Sequence, residues 1–301
     1  MNWLNFIWIF LIVLCSFLLF FYLVAPKIRL MYEGDCLESF ENPLEVKKDM
    51  IDELYARIYD KVFDEKDMYV MEAKSVIDFV VEKGVKGVIL EVGSGTGKHY
   101  QNLVVGGRHV LGLERSGAML DIFRRRNPLG KVVEGDMRNE GLFGAQKFGM
   151  IVCFKETLFH NNVKDWDTIL SNFYYWLKPN GYLVIHVFDR DKLDPAPRNM
   201  TFIRKDGEGR THGITNFPNF THDGWWERKG KVVCQYNEII AMRDKKGNIT
   251  KKKHYKHNLA IPEKGKIMEK ILGNYFKLVN VVKMDKIGIV DHELCFFKKI
   301  K

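Results

Sequence analysis

The chain has 301 residues, of which 46% are hydrophobic and 28% charged, with 8 prolines. That composition excludes collagen-like, low-complexity and disordered chains, and the length suits one large α/β domain with an appendage, or two small domains. Lys and Arg (47) exceed Asp and Glu (38) for a net charge of +9, which favours an anionic partner such as a lipid surface or nucleic acid without selecting either. The five cysteines, Cys15, Cys36, Cys153, Cys234 and Cys295, are scattered without metal-ligand spacing or a disulfide framework, so a reducing compartment is expected for the globular part.

Residues 1–26 carry no charged side chain, and Phe6 to Val24 is an apolar run of 19 residues. At ~1.5 Å per residue it approaches the ~30 Å of a bilayer core. Trp3, Trp8 and Tyr22 lie near its ends, where aromatic rings favour the interface. No Lys or Arg precedes the run, and Leu23-Val24-Ala25-Pro26 is a poor cleavage site, so residues 1–29 are expected to be a retained transmembrane helix rather than a signal peptide. Lys27, Arg29, Lys47 and Lys48 all follow it, which predicts a single-pass protein whose globular part faces the cytoplasm. Three Asn-x-Thr sequons, at Asn199, Asn219 and Asn248, point the other way, but such tripeptides are common by chance.

Residues 30–49 read as a polar linker and 50–301 as the folded domain. Ile51, Leu54, Tyr55, Ile58 and Tyr59 recur at helical spacing; so do Val70, Ala73, Val76, Ile77 and Val80, until Gly84 stops them. Strands and helices then alternate, the pattern of a parallel sheet. The strands are 88–92, 110–114, 132–134, 150–154 and 182–188, and the helices lie near 118–126 and 165–177. Between about 195 and 260 helical signals vanish. Alternating segments at 225–228, 232–242 and 249–259, with turns between them, predict an antiparallel β insertion after strand five. A helix near 264–272 and strands at 276–284 and 294–299 complete the chain.

The first strand runs into Glu91-Val92-Gly93-Ser94-Gly95-Thr96-Gly97-Lys98. Its glycines let a ligand approach the backbone, and the following helix offers free N–H groups. A dinucleotide fingerprint needs a third glycine where Lys98 stands. Alternate glycines behind an acid resemble instead the first motif of class I S-adenosylmethionine-dependent methyltransferases. Three further stretches resemble the same family: Glu114 ending strand two, Gly135-Asp136-Met137 after strand three, and the turn Leu177-Lys178-Pro179-Asn180-Gly181-Tyr182, whose glycine is expected to supply the turn dihedral. Phe148-Gly149-Met150 lacks the aspartate many members carry there. The resemblance covers about 50–190 and 262–300. It implies a Rossmann-like seven-stranded α/β sheet and S-adenosyl-L-methionine as cofactor, held by Glu91, Gly93, Ser94, Gly95, Gly97, Glu114, Asp136 and Met137. In that reading Glu114 takes the ribose hydroxyls, Asp136 the adenine amine, the Met137 N–H a ring nitrogen and Glu91 the methionine amino group. Taken singly, each residue is also explained by a strand–helix turn or a strand-end acid.

Methyl transfer needs alignment above all, and a base only where the nucleophile arrives protonated. His160 and His186 are the candidate catalytic residues at strand ends, with Asp189 beside them. Tyr55 and Tyr59 could cover the cofactor. Trp225, Trp226 and Tyr236 could wall an apolar or cationic substrate, and the lysines at 245, 246, 251, 252, 253 and 256 could touch anionic headgroups. The reading is therefore a methyltransferase acting on a small or lipophilic acceptor at the cytosolic membrane face. No Asn/Asp-Pro-Pro-Tyr/Phe follows strand four and no Pro-Cys occurs, which argues against amide, adenine and cytosine-C5 acceptors. The competing readings are a catalytically silent membrane-tethered binding module, a nucleotide-dependent oxidoreductase, and an RNA or protein methyltransferase. No recognised reading module accompanies the lysines, so nucleic acid is not the expected partner.

Overall fold

In a computed structural model of the chain, the described residues are 45–48, 51–192, 200–273, 275–289 and 291–300, all within one unit, Glu45–Lys301. The expected transmembrane helix of residues 1–29 and most of the expected linker lie outside them. Among the described residues, no helix is long and apolar enough to cross a membrane.

Short strand β1 (Glu45–Lys48), which falls in the expected linker, is followed by α1 (Glu53–Val62) and α2 (Lys66–Lys83). Then come β2 (Val88–Val92), α3 (Lys98–Leu103), β3 (Val110–Glu114), α4 (Gly117–Arg126), β4 (Val132–Glu134), β5 (Phe148–Cys153), α5 (Trp166–Trp176) and β6 (Leu177–Phe188). The insertion contributes β7 (Phe202–Lys205), β8 (Thr211–Phe217), β9 (Phe220–Arg228), β10 (Val233–Arg243) and β11 (Ile249–Ala260). The chain ends in α6 (Lys264–Leu272), β12 (Phe276–Lys283) and β13 (His292–Lys299).

Seven strands form the main sheet in the order β12-β13-β6-β5-β2-β3-β4, with β13 antiparallel to β6 and β12, and β2 through β6 parallel. Strand order reverses between β2 and β5, so the crevice beyond their carboxyl ends is the natural ligand position. Central β5 is buried at all six positions, as expected of a parallel strand covered on both faces. The insertion forms a second sheet, β1-β11-β10-β9-β8-β7, antiparallel except for the parallel β1–β11 pair.

Helix α1 links the two sheets to the ligand crevice. Asp52 caps it by accepting from the Tyr55 N–H at 3.0 Å, and also accepts from the Tyr255 hydroxyl (2.9 Å) and from Lys253 Nζ (2.5 Å) on β11. On its other side, Thr96 Oγ1 donates to Asp60 (2.7 Å), and Arg126 bridges Asp60 and the Thr96 carbonyl. The helix therefore lies tied between the glycine loop and the insertion, and its Tyr55, Tyr59 and Phe63 face inward. Lys253 is part of this tie rather than of a solvated basic face. At the turn into β6, Asn180 (φ +60°) takes the left-handed conformation expected of Gly181. Asn is the residue other than glycine that tolerates it best.

Candidate active site

A cavity of about 720 Å³ opens beyond β2, β3 and β5. That is within the range typical of small-molecule sites. Of the residues the sequence singles out for cofactor or catalysis, Gly93, Gly95, Glu114, Asp136, Met137 and His160 line it. Gly93 is required twice: its φ is +71°, and a Cβ would stand 2.3 Å from Thr157 Cγ2. At Gly95 (φ +53°) a Cβ would meet nothing closer than 4.0 Å, so the loop is open there on the cavity side.

Glu114 is held by two backbone donors, Gly95 N–H at 2.9 Å and Ser116 N–H at 2.8 Å. Burial raises its pKa against the pull of those donors. Each carboxylate oxygen keeps a second lone pair, so acceptance from a diol remains open. Asp136 is gripped by Arg138 through both oxygens (3.0 and 2.6 Å), and this pairing lowers its pKa. An ionised, oriented acceptor suits an exocyclic amine.

Glu91 lies beneath the loop, 1% exposed, and its Oε2 has no hydrogen-bond partner among the described residues. Burial, with the charges of Glu114 and Glu72 adding, pushes its pKa up to about 8 against the opposing Ser94. An orphaned buried carboxylate beside the loop is the observation that fits a cofactor bearing an ammonium group. Glu91, Ser94 and Gly97 are not among the residues that line the cavity. The Ser94 hydroxyl donates to the Glu91 carbonyl (3.0 Å), and Gly97 packs on Phe123 and Asn127, where a Cβ would clash. Both shape the loop rather than touch a ligand.

His186 is a correction to the sequence reading. Its ring is 1% exposed within β6, with Nδ1 2.7 Å from Glu72 and Nε2 2.9 Å from His292 Nδ1. Glu72, which also binds His99 at 2.6 Å, keeps a pKa near 2 although burial opposes this, because the two imidazoles outweigh it. His186 thus belongs to a buried polar cluster, and His292 is the member that reaches the cavity. His160 does face the cavity. Burial, then the charges of His257 and Arg115, depress it to about 3, so it stands as a neutral imidazole.

Several lining residues carry no motif. Lys155 follows β5 with φ +49°, strained for a side chain of its size. Its Nζ is 2.5 Å from Glu65 and 5.3–5.7 Å from the Tyr59, Phe63 and Tyr69 rings. Burial would lower its pKa, but Glu65 and the tyrosines outweigh that and hold it well above the usual value. From the insertion come Trp226, Tyr236, His257 and Leu259. Trp225, expected beside Trp226, instead stacks on His212 (4.5 Å) on the opposite face, as strand alternation requires. Alternation is also the signal that could have found His257, which repeats with Tyr255 and Leu259, and Glu238, an acid in the buried series Cys234, Tyr236, Ile240.

Residues 89–181 match the family described as methyltransferase domain, and the sheet order, glycine loop and strand-end acids are similar to those of class I S-adenosylmethionine-dependent methyltransferases. Over 133 residues the chain is 33% identical to dTDP-3-amino-3,6-dideoxy-alpha-D-glucopyranose N,N-dimethyltransferase of Streptomyces fradiae, covering 43% of this chain. It spans about half (51%) of that relative's length. Among solved structures, a methyltransferase from Clostridium acetobutylicum superposes with a TM-score of 0.64 at 16% identity, covering 81% of this chain and 97% of that one. An S-adenosylmethionine-bound amino pentose methyltransferase from Micromonospora echinaspora gives 0.60 at 19% identity, covering 84% and 100%. A sugar N-methyltransferase from a Streptoalloteichus species gives 0.64 at 17%, covering 88% and 100%. At these identities the structural likeness establishes the fold.

Proposed function

We propose that the protein transfers a methyl group from S-adenosylmethionine to an amine nitrogen of a small polar acceptor of the amino-sugar kind. The observation that carries this reading is a single cavity lined both by the cofactor elements (Gly93, Gly95, Glu114, Asp136) and by polar groups of the insertion and the segment after β5 (His257, His160, Asn161). The activity of the Streptomyces fradiae relative, an amino-sugar N,N-dimethyltransferase, supports an amine as the acceptor atom. When bound, the cofactor supplies a methyl carbon already activated by its sulfonium. The chain's own work is alignment. Glu114 and Asp136 fix the nucleoside end, Glu91 receives the amino group, and α1 with Tyr55, Tyr59 and Phe63 limits water.

Calorimetry with S-adenosylmethionine, followed by mass spectrometry on a panel of amino sugars including dTDP-3-amino-3,6-dideoxyglucose, tests the proposal. Addition of one or two methyl groups to an amine supports it. Absence of cofactor binding would leave a silent binding module, and labelling confined to lipid, protein or RNA in a cell extract would replace the acceptor class. We also propose that the apolar run at 6–24 holds the domain at the cytoplasmic face of a membrane. Deleting residues 1–29 should release the protein from membranes on fractionation, and an unchanged distribution would reject that placement.

A further inference from the structure

Accepting the amine reading above, we propose that His257, positioned by Glu238, is the proton acceptor for the substrate amine. Glu238 is fully buried on β10. Its Oε1 accepts from the Tyr55 hydroxyl at 2.6 Å and lies 2.9 Å from His257 Nε2, while Oε2 is 2.8 Å from His222 Nε2. Antiparallel register sets this cluster: Tyr236 pairs with His257, and Glu238 with Tyr255. The His257 contact is an ion-pair distance without hydrogen-bond alignment; because an ionised carboxylate is an acceptor only, a bond made there needs the hydrogen on His257 Nε2. Nδ1 then bears the lone pair. This is the logic by which a carboxylate fixes a catalytic imidazole's tautomer. His257 lines the cavity, and its ring lies 6.3 Å from that of His160.

The charges facing His257 sort the two imidazoles. Around His257 stand Glu238 and Tyr236 of β10, Tyr55 of α1, Tyr255 of its own strand and His160. His222 is on the far oxygen of Glu238, and Arg115 is one of the charges opposing His160. Glu238 stays ionised, near pKa 2, because His222 and His257 outweigh the burial that opposes it. Among the described residues no carboxylate is within ion-pair distance of His160, and burial with the charges of His257 and Arg115 outweighs the more distant Glu238 and holds it neutral. The step balances as follows. A proton passes from the ammonium of the acceptor to His257 Nδ1. The freed nitrogen lone pair forms the N–CH3 bond as the CH3–S bond breaks, and its electron pair goes to sulfur. Tyr55 and Glu238 are positioning residues for that transfer.

The test uses the full chain in detergent micelles. Long-range 1H–15N correlation of the imidazoles should show His257 as the Nε2–H form in wild type. The Nδ1–H form would overturn the proposal even if no variant folds. With dTDP-3-amino-3,6-dideoxyglucose as probe, H257Q should lose at least about 100-fold in kcat, the low end of a general base's contribution. E238Q should also lower kcat, and in the same spectra it should lose the fixed Nε2–H form, a change that a merely structural role for Glu238 would not produce. Calorimetric binding of S-adenosylmethionine should persist in both. Retention of wild-type kcat by both variants would overturn the dyad. Failure of wild type to methylate the probe, with cofactor bound and the Nε2–H form present, would instead count against the amine reading and leave the tautomer result standing.

Discussion

Two buried carboxylates, one in each sheet, meet opposite fates. Glu91 under the glycine loop and Glu238 in the insertion are 1% and 0% exposed, so burial disfavours the charge of both. Glu91 has an oxygen without a partner, and its pKa rises to about 8. Glu238 has a tyrosine and two histidines around it and stays near 2. Burying a charge is tolerable where donors surround it and costly where they do not. In the insertion the acid is surrounded by a tyrosine and two imidazoles and arrives at an ionised centre. The cofactor side leaves an acid under-satisfied at the place where a ligand's cationic group would complete it.

The sharpest way to break that contrast is to remove the ionised centre. Glu238→Ala strands the Tyr55 hydroxyl and two imidazoles, and should cost about 3–5 kcal/mol of stability, read by denaturant unfolding. The loss has a pH signature. Because the folded pKa is depressed, the contribution is present above the ordinary carboxylate value and disappears as pH falls through about 2. The difference between wild type and variant should therefore shrink in strong acid to the cavity cost alone, and a difference that does not change with pH would mean the charge is not the cause. On the cofactor side, Gly95→Arg adds a side chain where the cavity is open and the backbone is left-handed. Affinity for S-adenosylmethionine should fall at least ~100-fold, about 2.7 kcal/mol. Wild-type affinity in this variant would remove the loop from the site. Asp136→Ala deletes a single acceptor and should weaken binding by ~10–30-fold, about 1.4–2 kcal/mol. No change would mean that Arg138, rather than a ligand, is the sole purpose of that acid.

The same contrast explains what was legible in the sequence. On the cofactor side the loop and strand ends are local: β2, β3 and β4 fall at the expected 88–92, 110–114 and 132–134, because buried β-branched runs and glycine turns announce themselves within a few residues. Gly93, Gly95, Glu114 and Asp136 follow directly from that frame. The acceptor wall is non-local. Tyr55 and Glu238 meet across 183 residues, and His257 reaches the cavity only through the pairing of β10 with β11. Strands β7 and β8 had only a general expectation of β structure, and β1 none, since a four-residue parallel strand rests on a partner some 200 residues away. His186 misled for a related reason. Its strand position near the crevice is right, but only the packed structure reveals Glu72 arriving from α2 to occupy the ring.

Glu91 gives the finest test of an incomplete centre. With a pKa of about 8 in the free protein, about nine-tenths of it is protonated at pH 7. Pairing with an ammonium needs the carboxylate, so binding S-adenosylmethionine should release that proton. Calorimetry in buffers of differing ionisation enthalpy measures it. Between pH 6 and 7, where the ligand's amino group stays charged, affinity should rise about ninefold, or ~1.3 kcal/mol. Glu91→Gln should bind more weakly and without this slope. The stability effect takes the sign opposite to that of Glu238: a raised folded pKa contributes stability fully present below about 4.5 and lost as pH rises through about 8. In the absence of cofactor, Glu91→Gln should therefore gain on wild type progressively between about pH 4.5 and 8 and no further above that. A pH-independent affinity in wild type would show that the buried acid is not where the ligand's charge is received.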